Sequence, residues 1–495
     1  MEEKIKQAIE NIAKNLEVHK EYIRFDNTEQ IYIIEDYLNN KIIEIKKNIK
    51  FDNLIDYPLK FYYCDFLETV IGRNKTFKEK IIFEEVVFCK VVNFSFSIFD
   101  KNINFSNVKF EDKLYFDKCQ FKEKFEFFGI NNLKAEFNSS HFKKEVYFGK
   151  EITDKNVEKS NSFGSCSFEY ANFSNCHFKK EVYFKNNDFK QVFFRNSKFN
   201  NNIHFNNSIF KDYADFHKCE FEKTANFYRV RFDKTPNFSQ AIFKGNLNVV
   251  NTNLNFTFDD LQERIKQEYE DFNKNIENKK PLDKFANDFR DSFRIFKSAL
   301  IKDNNLLDAS NFHKYELYCK EIELKNKKGK TFKDVVDRWQ LLFYRKLCDH
   351  HTNLILNLKW FIVIVGFFTS ILFGLRYGDG NLMQFFNKDS DLLKMLKNIL
   401  NIKALNDSNA TYLILLYSFI GLFFVRTFFI FYYLVIFILM LAISPYNLFT
   451  MINFAIRHET NSFLENIIII IYTLSIVLII FSLQKTARKN SIVPS

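Results

Sequence analysis

Phenylalanine recurs every five or six residues from Phe77 to Phe243, and this beat excludes most folds. It runs through Phe83, Phe88, Phe94, Phe99, Phe105, Phe110, Phe116, Phe121 and Phe127 to Phe148. After a lapse it returns at Phe163 and Phe168. It then continues through Phe173, Phe178, Phe184, Phe189, Phe194, Phe199, Phe205, Phe210, Phe216, Phe221, Phe227, Phe232 and Phe238. An amphipathic helix needs apolar residues at a period of 3.6, and a half-buried strand at a period of 2. Neither template fits. A short period kept this long marks a repeat architecture, in which each unit buries its apolar side by stacking on its neighbours.

A second register sharpens the pattern. Two residues before the Phe stands a small or apolar residue, as at Ile103, Val108, Leu114, Cys119, Ala171, Cys176, Val182, Ser197, Ala214 and Ala225. The positions between are mostly Asn, Lys, Glu, Asp and Ser. Two side chains per unit therefore point inward, as in a short strand followed by a turn. Phe173 through Phe232 are the expected core, each ring stacked on the ring one coil away. The small residue leaves room for the chain to bend. With 11 Gly and 5 Pro in 495 residues, Asn is expected to supply many of the turns.

The units Ala171-Asn172-Phe173, Ala214-Asp215-Phe216 and Ala225-Asn226-Phe227 resemble those of pentapeptide-repeat proteins. The resemblance covers Phe77 to about Leu254. It implies a mainly β repeat fold, a right-handed parallel quadrilateral β-helix with one unit per side. It departs from the family in spacing and in residue, because steps of six alternate with steps of five and Phe replaces Leu. Each sixth residue is expected to bulge at a corner. About eight coils at the ~4.8 Å strand spacing would make a rod about 38 Å long.

The rest of the chain divides around this block. Residues 1–76 read as a helical capping region, opened by an amphipathic pattern (Ile5, Ala8, Ile9, Ile12, Leu16), with Cys64-x-Phe66 as a degenerate first unit. The β-helix is assigned to 77–255, with a polar surface loop at 149–162. A helical linker is assigned to 256–350. Within it, Asp259 or Asp260 caps a first helix, Pro281 opens a second and a third starts near Asp308. The pattern Phe293-Arg294-x-Phe296-Lys297 followed by Asp308-Ala309-x-x-Phe312-His313-x-x-Glu316 is similar to the linker joining pentapeptide repeats to membrane spans in bacterial relatives.

Residues 351–484 are read as transmembrane, because about twenty apolar residues cross a bilayer. The expected spans are near 357–376, 411–425, 427–444 and 465–483, with a tail at 485–495. Arg345, Lys346 and Lys359 before the first span, and Lys485, Arg488 and Lys489 after the last, put both ends in the cytoplasm and favour an even count. Arg426 divides the middle run. It is either a cytoplasmic turn anchor or a functional intramembrane charge.

Little in the chain carries chemistry. It has no Gly-rich phosphate loop, no H-E-x-x-H and no nucleophile elbow. His350 and His351 are adjacent, about 100° apart on a helix, so they do not chelate as an i,i+4 pair would. Interfacial solvation is the reading for them. Cys119, Cys166, Cys176 and Cys219 take inward small positions and read as compact hydrophobes, without metal spacing. That placement suits a reducing cytoplasm. The net charge is +11, of which the repeat carries about +6 with signs interleaved, so neither a nucleic-acid groove nor DNA mimicry is expected. Tyr377-Gly378-Asp379-Gly380 lacks the residues and helices of a potassium filter.

The expected protein is a multi-pass bacterial inner-membrane scaffold without catalytic activity, cofactor, metal or small-molecule substrate. It presents a rigid cytoplasmic β-helix to a protein partner not named by the sequence, with the lipid bilayer as its other partner. The alternative is a channel or transporter subunit regulated by the repeat.

Overall fold

In the computed structural model the Phe beat closes into a parallel β-solenoid built from four sheets. The structure describes residues 2–149, 165–274, 279–377, 434 and 463–488. They fall into two units that part between Val335 and Val336.

Up to Phe110 one turn of the solenoid is one pass through the four sheets; in later coils a single sheet takes the strands of two sides, as where Asp188–Phe193 pairs with both Ile209–Phe210 and Ala214–Asp215. Phe83 pairs with Phe105 and Phe105 with Phe127, each 22 residues on. From Ile31–Ile34 to Leu247–Asn248 the first sheet carries ten parallel strands, which makes about nine turns. Inward rings form columns. In one of them the centroids of Phe173, Phe194, Phe216 and Phe238 follow at 5.1, 5.1 and 4.5 Å with nearly parallel planes. Full burial of a Phe side chain contributes about 1.5–3 kcal/mol, and a favourable aromatic pair about 0.5–1.5 kcal/mol more.

The two step lengths make two kinds of corner. Five-residue steps hold a tight turn whose third residue is left-handed, such as Glu85 (φ 53°), Phe96 (64°), Asn196 (55°) and Asn207 (60°). In these turns Ser197 N–H donates to the Phe194 carbonyl at 3.0 Å, and Ser208 N–H to Phe205 at 3.1 Å. This is the pattern of a turn with positive φ at its third position, where Asn is tolerated best. Asn holds many of these positions, but Lys118, Lys218 and Arg229 hold others. Six-residue steps, such as Phe88 to Phe94 and Phe199 to Phe205, have no positive φ, and the extra residue opens the corner instead.

Where a six shortens to five without a left-handed residue, the corner straightens. Phe168 to Phe173 and Phe189 to Phe194 are such steps, and in each a six-residue strand, Ser167–Asn172 or Asp188–Phe193, runs through the corner up to the second Phe. One coil later the step from Phe210 to Phe216 is six again, and the strand splits into Ile209–Phe210 and Ala214–Asp215.

Both ends of the solenoid are covered, as exposed β edges require. At the start, helix α1 (Glu2–Leu16) buries Ala8, Ile12, Ala13 and Leu16. Ile23–Asp26 pairs antiparallel with Ile31–Ile34, which in turn pairs parallel with Leu59–Tyr62. The helical cap expected over 1–76 is thus confined to α1 and two short 3-10 turns, because Ile31, Ile43 and Ile49 already supply inward residues in place of Phe.

At the far end lie α2 (Phe258–Asn273), α3 (Leu282–Lys302) and α4 (Leu306–Asn326). Thr257, rather than Asp259 or Asp260, caps α2, and Asp260 closes a capping box with it. Pro281 opens α3 as its N-cap, and Asn305 caps α4 through the Asp308 N–H.

Helix α5 (Phe332–Cys348) runs across the boundary between the units. The second unit holds α6 (Leu354–Tyr377) and α7 (Phe463–Ala487), which overlap the first and last expected spans. Among the described residues one helical stretch, Asn466–Ala487, is long and apolar enough to cross a membrane; Leu354–Phe368 is a shorter apolar stretch. The expected span at 411–425, all but Leu434 of the span at 427–444, Arg426, and most of the loop at 149–162 lie outside the described residues.

Candidate functional site

Among the described residues the solenoid interior is filled by its inward side chains. Phe173, Phe178, Phe184, Phe189, Phe194, Phe199, Phe205, Phe210, Phe216, Phe221, Phe227 and Phe232 are each at most 1 % exposed. The small residues two positions earlier are buried as well, but they do more than leave space. Ser197 Oγ donates to the Phe173 carbonyl at 2.5 Å and accepts from Cys176 N–H at 2.9 Å. Ser208 Oγ does the same with Phe184 and Asn187. Cys119 and Cys219 direct their thiols at the carbonyls of Phe94 and Phe194.

These side chains satisfy backbone groups that the tight turns take out of the ladder, which is required once they are buried. Inward serines in an otherwise apolar register were the available signal for this role. All eight cysteines are free. Burial pushes the Cys64, Cys119 and Cys166 thiols up to about 12, so they are unreactive.

Outside, most charges answer one another along the coils. Lys198 pairs with Glu220 and Glu222 at 3.1 Å, Lys244 with Glu222 at 2.8 Å, and Lys211 with Asp188 at 2.7 Å. The first sheet differs. Its outward column runs in register through Asn104, Glu126, Tyr147, Tyr183, His204, Asn226 and Asn248. Tyr147, Tyr183 and His204 are half-buried and stack at 4.8 and 4.9 Å with nearly parallel planes. Burial, and then the hydrogen bond to Glu181, pushes the Tyr183 hydroxyl well above the usual tyrosine range. The adjoining corner carries an Asn pair, Asn207 to Asn186 at 3.1 Å.

One outward position is not a surface. Asp215 occupies the polar slot of Ala214-Asp215-Phe216, yet it is fully buried. Arg195 binds it, and its neighbour Tyr213 donates to Glu268 of α2 and takes Arg264 of α2 over its ring at 3.8 Å. Burial first, and then the Asp215 charge, raises the Glu268 carboxyl above its ordinary value. This network docks α2 on the solenoid wall.

The linker pattern also resolves into roles. Phe296 meets Phe238 at 4.8 Å and Phe312 at 5.4 Å, and so plugs the last coil. Tyr315 donates to the Leu254 and Phe256 carbonyls, and Asp308 accepts from Asn251 N–H. Arg294, Lys297 and His313 converge on Glu316 at 3.2, 2.7 and 3.3 Å.

In the second unit, α6 and α7 enclose polar groups. Asn357 Nδ2 donates to Ser482 Oγ at 2.9 Å and to Thr486 Oγ1 at 3.2 Å, with all three residues buried. His351 joins them, its Nδ1 3.3 Å from Thr486 Oγ1. His350 and His351, expected to be solvated, are 3 % and 8 % exposed. The reason is the backbone: Asp349, His350 and His351 all have positive φ and fold the chain sharply back into α6. Among the described residues no group of His, Cys, Asp or Glu is placed to hold a metal ion.

A family model described as pentapeptide repeats matches residues 173–220. No curated protein and no solved structure matches the chain. The match and the solenoid together support a pentapeptide-repeat protein, with the coils on either side of residues 173–220 continuing the same inward register.

Proposed function

We propose that this chain is a membrane-anchored, non-enzymatic scaffold whose right-handed, four-sided solenoid presents its first sheet to a protein partner. The carrying observation is the stacked Tyr147, Tyr183 and His204 column on the first sheet, in contrast to the ion-paired Lys198, Glu220, Glu222 and Lys244 along another sheet. Rigid amphipathic rings lose little entropy on contact, and Tyr is favoured at interfaces for that reason. Helices α6 and α7, with the apolar runs between them, form the anchor, read as four spans in a bacterial inner membrane with the solenoid in the cytoplasm. The pentapeptide-repeat likeness and the apolar stretch Asn466–Ala487 support that reading.

The test is crosslinking of the full-length protein in native membranes, comparing the native chain with Tyr147→Ala/Tyr183→Ala. The double variant is expected to lose the crosslinked product while changing stability by about 1 kcal/mol, the scale of cross-strand pairs. An unchanged product from a folded variant would remove the first sheet as the binding face. Reporters after residue 350 and at the C-terminus should both read cytoplasm, and one near Asn409 the opposite side.

A channel or transporter subunit is the second reading, favoured by one observation: Asn357, Ser482 and Thr486 face one another between α6 and α7. Ion flux through reconstituted liposomes that vanishes in Asn357→Leu would select it.

A further inference from the structure

Helix α5 leaves an apolar stripe in the open. Phe332 is 84 % exposed, Trp339 66 %, Val336 46 %, Phe343 44 % and Val335 39 %. At 3.6 residues per turn these five side chains and the half-buried Leu342 fall within about 120° of one helix face. An apolar face of this width is unusual in water.

Past the stripe, the C-terminal turn of α5 is occupied. Leu347 and Cys348 are buried against Ile479, and Tyr344, Trp360, Ile364 and Leu483 pack around them. Trp360 Nε1 donates to the Lys346 carbonyl at 2.8 Å across the turn into α6. The C-terminal end of α5 is thereby fixed at the root of α6 and α7, whose own outward residues, such as Ile470, Leu474 and Phe481, are apolar.

Charge points to the occupant of the stripe. From Lys325 to Lys346 the chain has eight cations and two carboxylates, Asp334 and Asp337. Asp334 is already held by Lys327 and by the Thr331 cap. Burying the aromatic stripe while presenting these cations suits an acidic lipid headgroup layer. A neutral surface would leave the charge excess unanswered. Trp and Tyr also favour the membrane–water interface.

From the stripe, its flanking charge and its junction with α6, we propose that α5 lies in the headgroup layer of an anionic membrane, with Trp339 as its anchor. This rests on the membrane-anchored reading and assigns α5 a lipid-binding role within it.

The full chain has two tryptophans, Trp339 and Trp360, so Trp360→Phe makes Trp339 the single reporter. That variant is reconstituted into nanodiscs of phosphatidylcholine with or without phosphatidylglycerol, in each case with and without shallow-brominated lipid. Trp339 fluorescence is expected to be quenched by the brominated lipid. Its accessibility to aqueous iodide should fall about twofold or more in the anionic discs relative to the neutral ones. If Trp360→Phe does not fold, the difference signal between the native chain and Trp339→Phe supplies the same readout.

Equal iodide access in both discs without lipid quenching would overturn the proposal. Shielding from iodide without lipid quenching would overturn it too, because a protein surface would then cover the stripe. Release of the native chain from membranes by alkaline carbonate would instead defeat the anchoring reading itself.

Discussion

The solenoid and the α6–α7 pair are built inside out with respect to each other. Between coils the rings of Phe173, Phe194 and Phe216 stack in the dry centre, and Lys198, Glu220 and Lys211 stand outside. Between α6 and α7 the buried residues include Asn357, Ser482 and Thr486, while Leu474, Val477 and Phe481 face outward. Apolar burial drives the first arrangement, since water is the alternative. It cannot drive the second in a bilayer, where lipid tails match Leu outside as well as inside, so small and polar residues join the helices. The same chain thus reads as designed for two solvents, which is the physical basis for proposing a membrane anchor.

The largest expected effect sits in the solenoid centre. Phe194→Ala should cost about 3–5 kcal/mol, because neighbouring rings on four sides cannot collapse into the space. Leu474→Ala on α7, 60 % exposed, should change stability by no more than about 0.5 kcal/mol. Urea denaturation of the full chain in detergent micelles measures both. Comparable losses would break the inside-out comparison, because Leu474 would then be a core residue.

Polar deletions should run in the same order. Asp215→Ala leaves Arg195 without its buried partner and loosens the seat of α2. About 2–4 kcal/mol is expected, the lower end because Arg195 keeps some solvent. Asn357→Ala, which removes two hydrogen bonds between helices, should cost about 0.6–2 kcal/mol. Differential scanning of the two variants beside the native chain ranks them. A larger loss at Asn357 would mean that the helix pair depends on its polar centre more than helices in lipid commonly do.

The two regions also differed in how far they could be read beforehand. The Phe register named the inward residues of the coils, because a period near five admits few alternatives. It did not separate Asp215 from the half-buried Asn172 or Asn226 in the same slot, since the partners of Asp215, Arg195 above all, come from a neighbouring coil. Nor did it find the early coils, where Ile31, Ile43 and Ile49 take the place of Phe. In α6 and α7 nearly every residue is apolar, so periodicity cannot tell the inner face from the outer. The buried polar contact there starts from Asn357, an amide at the beginning of an apolar run that the hydropathy reading does not single out. The burial of His351 depends on three successive left-handed residues, which no single residue type announces. The linker pattern was recognised as a pattern, but its chemistry emerges only when α3 and α4 bring Arg294, Lys297 and His313 to one carboxylate.

That carboxylate gives the smallest effect and the one most open to titration. Burial alone would raise the Glu316 carboxyl, but hydrogen bonds from His313 and Lys297, together with the charge of Lys297 and contact with Arg294, outweigh it and hold it down at about 2. The ordinary value is 4.5, so the native state binds this proton less readily than the unfolded chain does. Its contribution is therefore fully present above pH 4.5 and is lost as pH falls from 4.5 toward 2. Helices α3 and α4 should loosen over that window, exposing the Phe296 plug while the Phe columns, which carry no titratable group, stay folded. Hydrogen exchange of α3 and α4 against the central strands, followed from pH 5 to pH 2.5, measures this. In Glu316→Gln the helices should be less protected at pH 5, and the difference from the native chain should shrink steadily with acid. A native chain whose helices and coils lose protection together would show that the cap and the solenoid are a single cooperative unit, and that Glu316 does not set its acid limit.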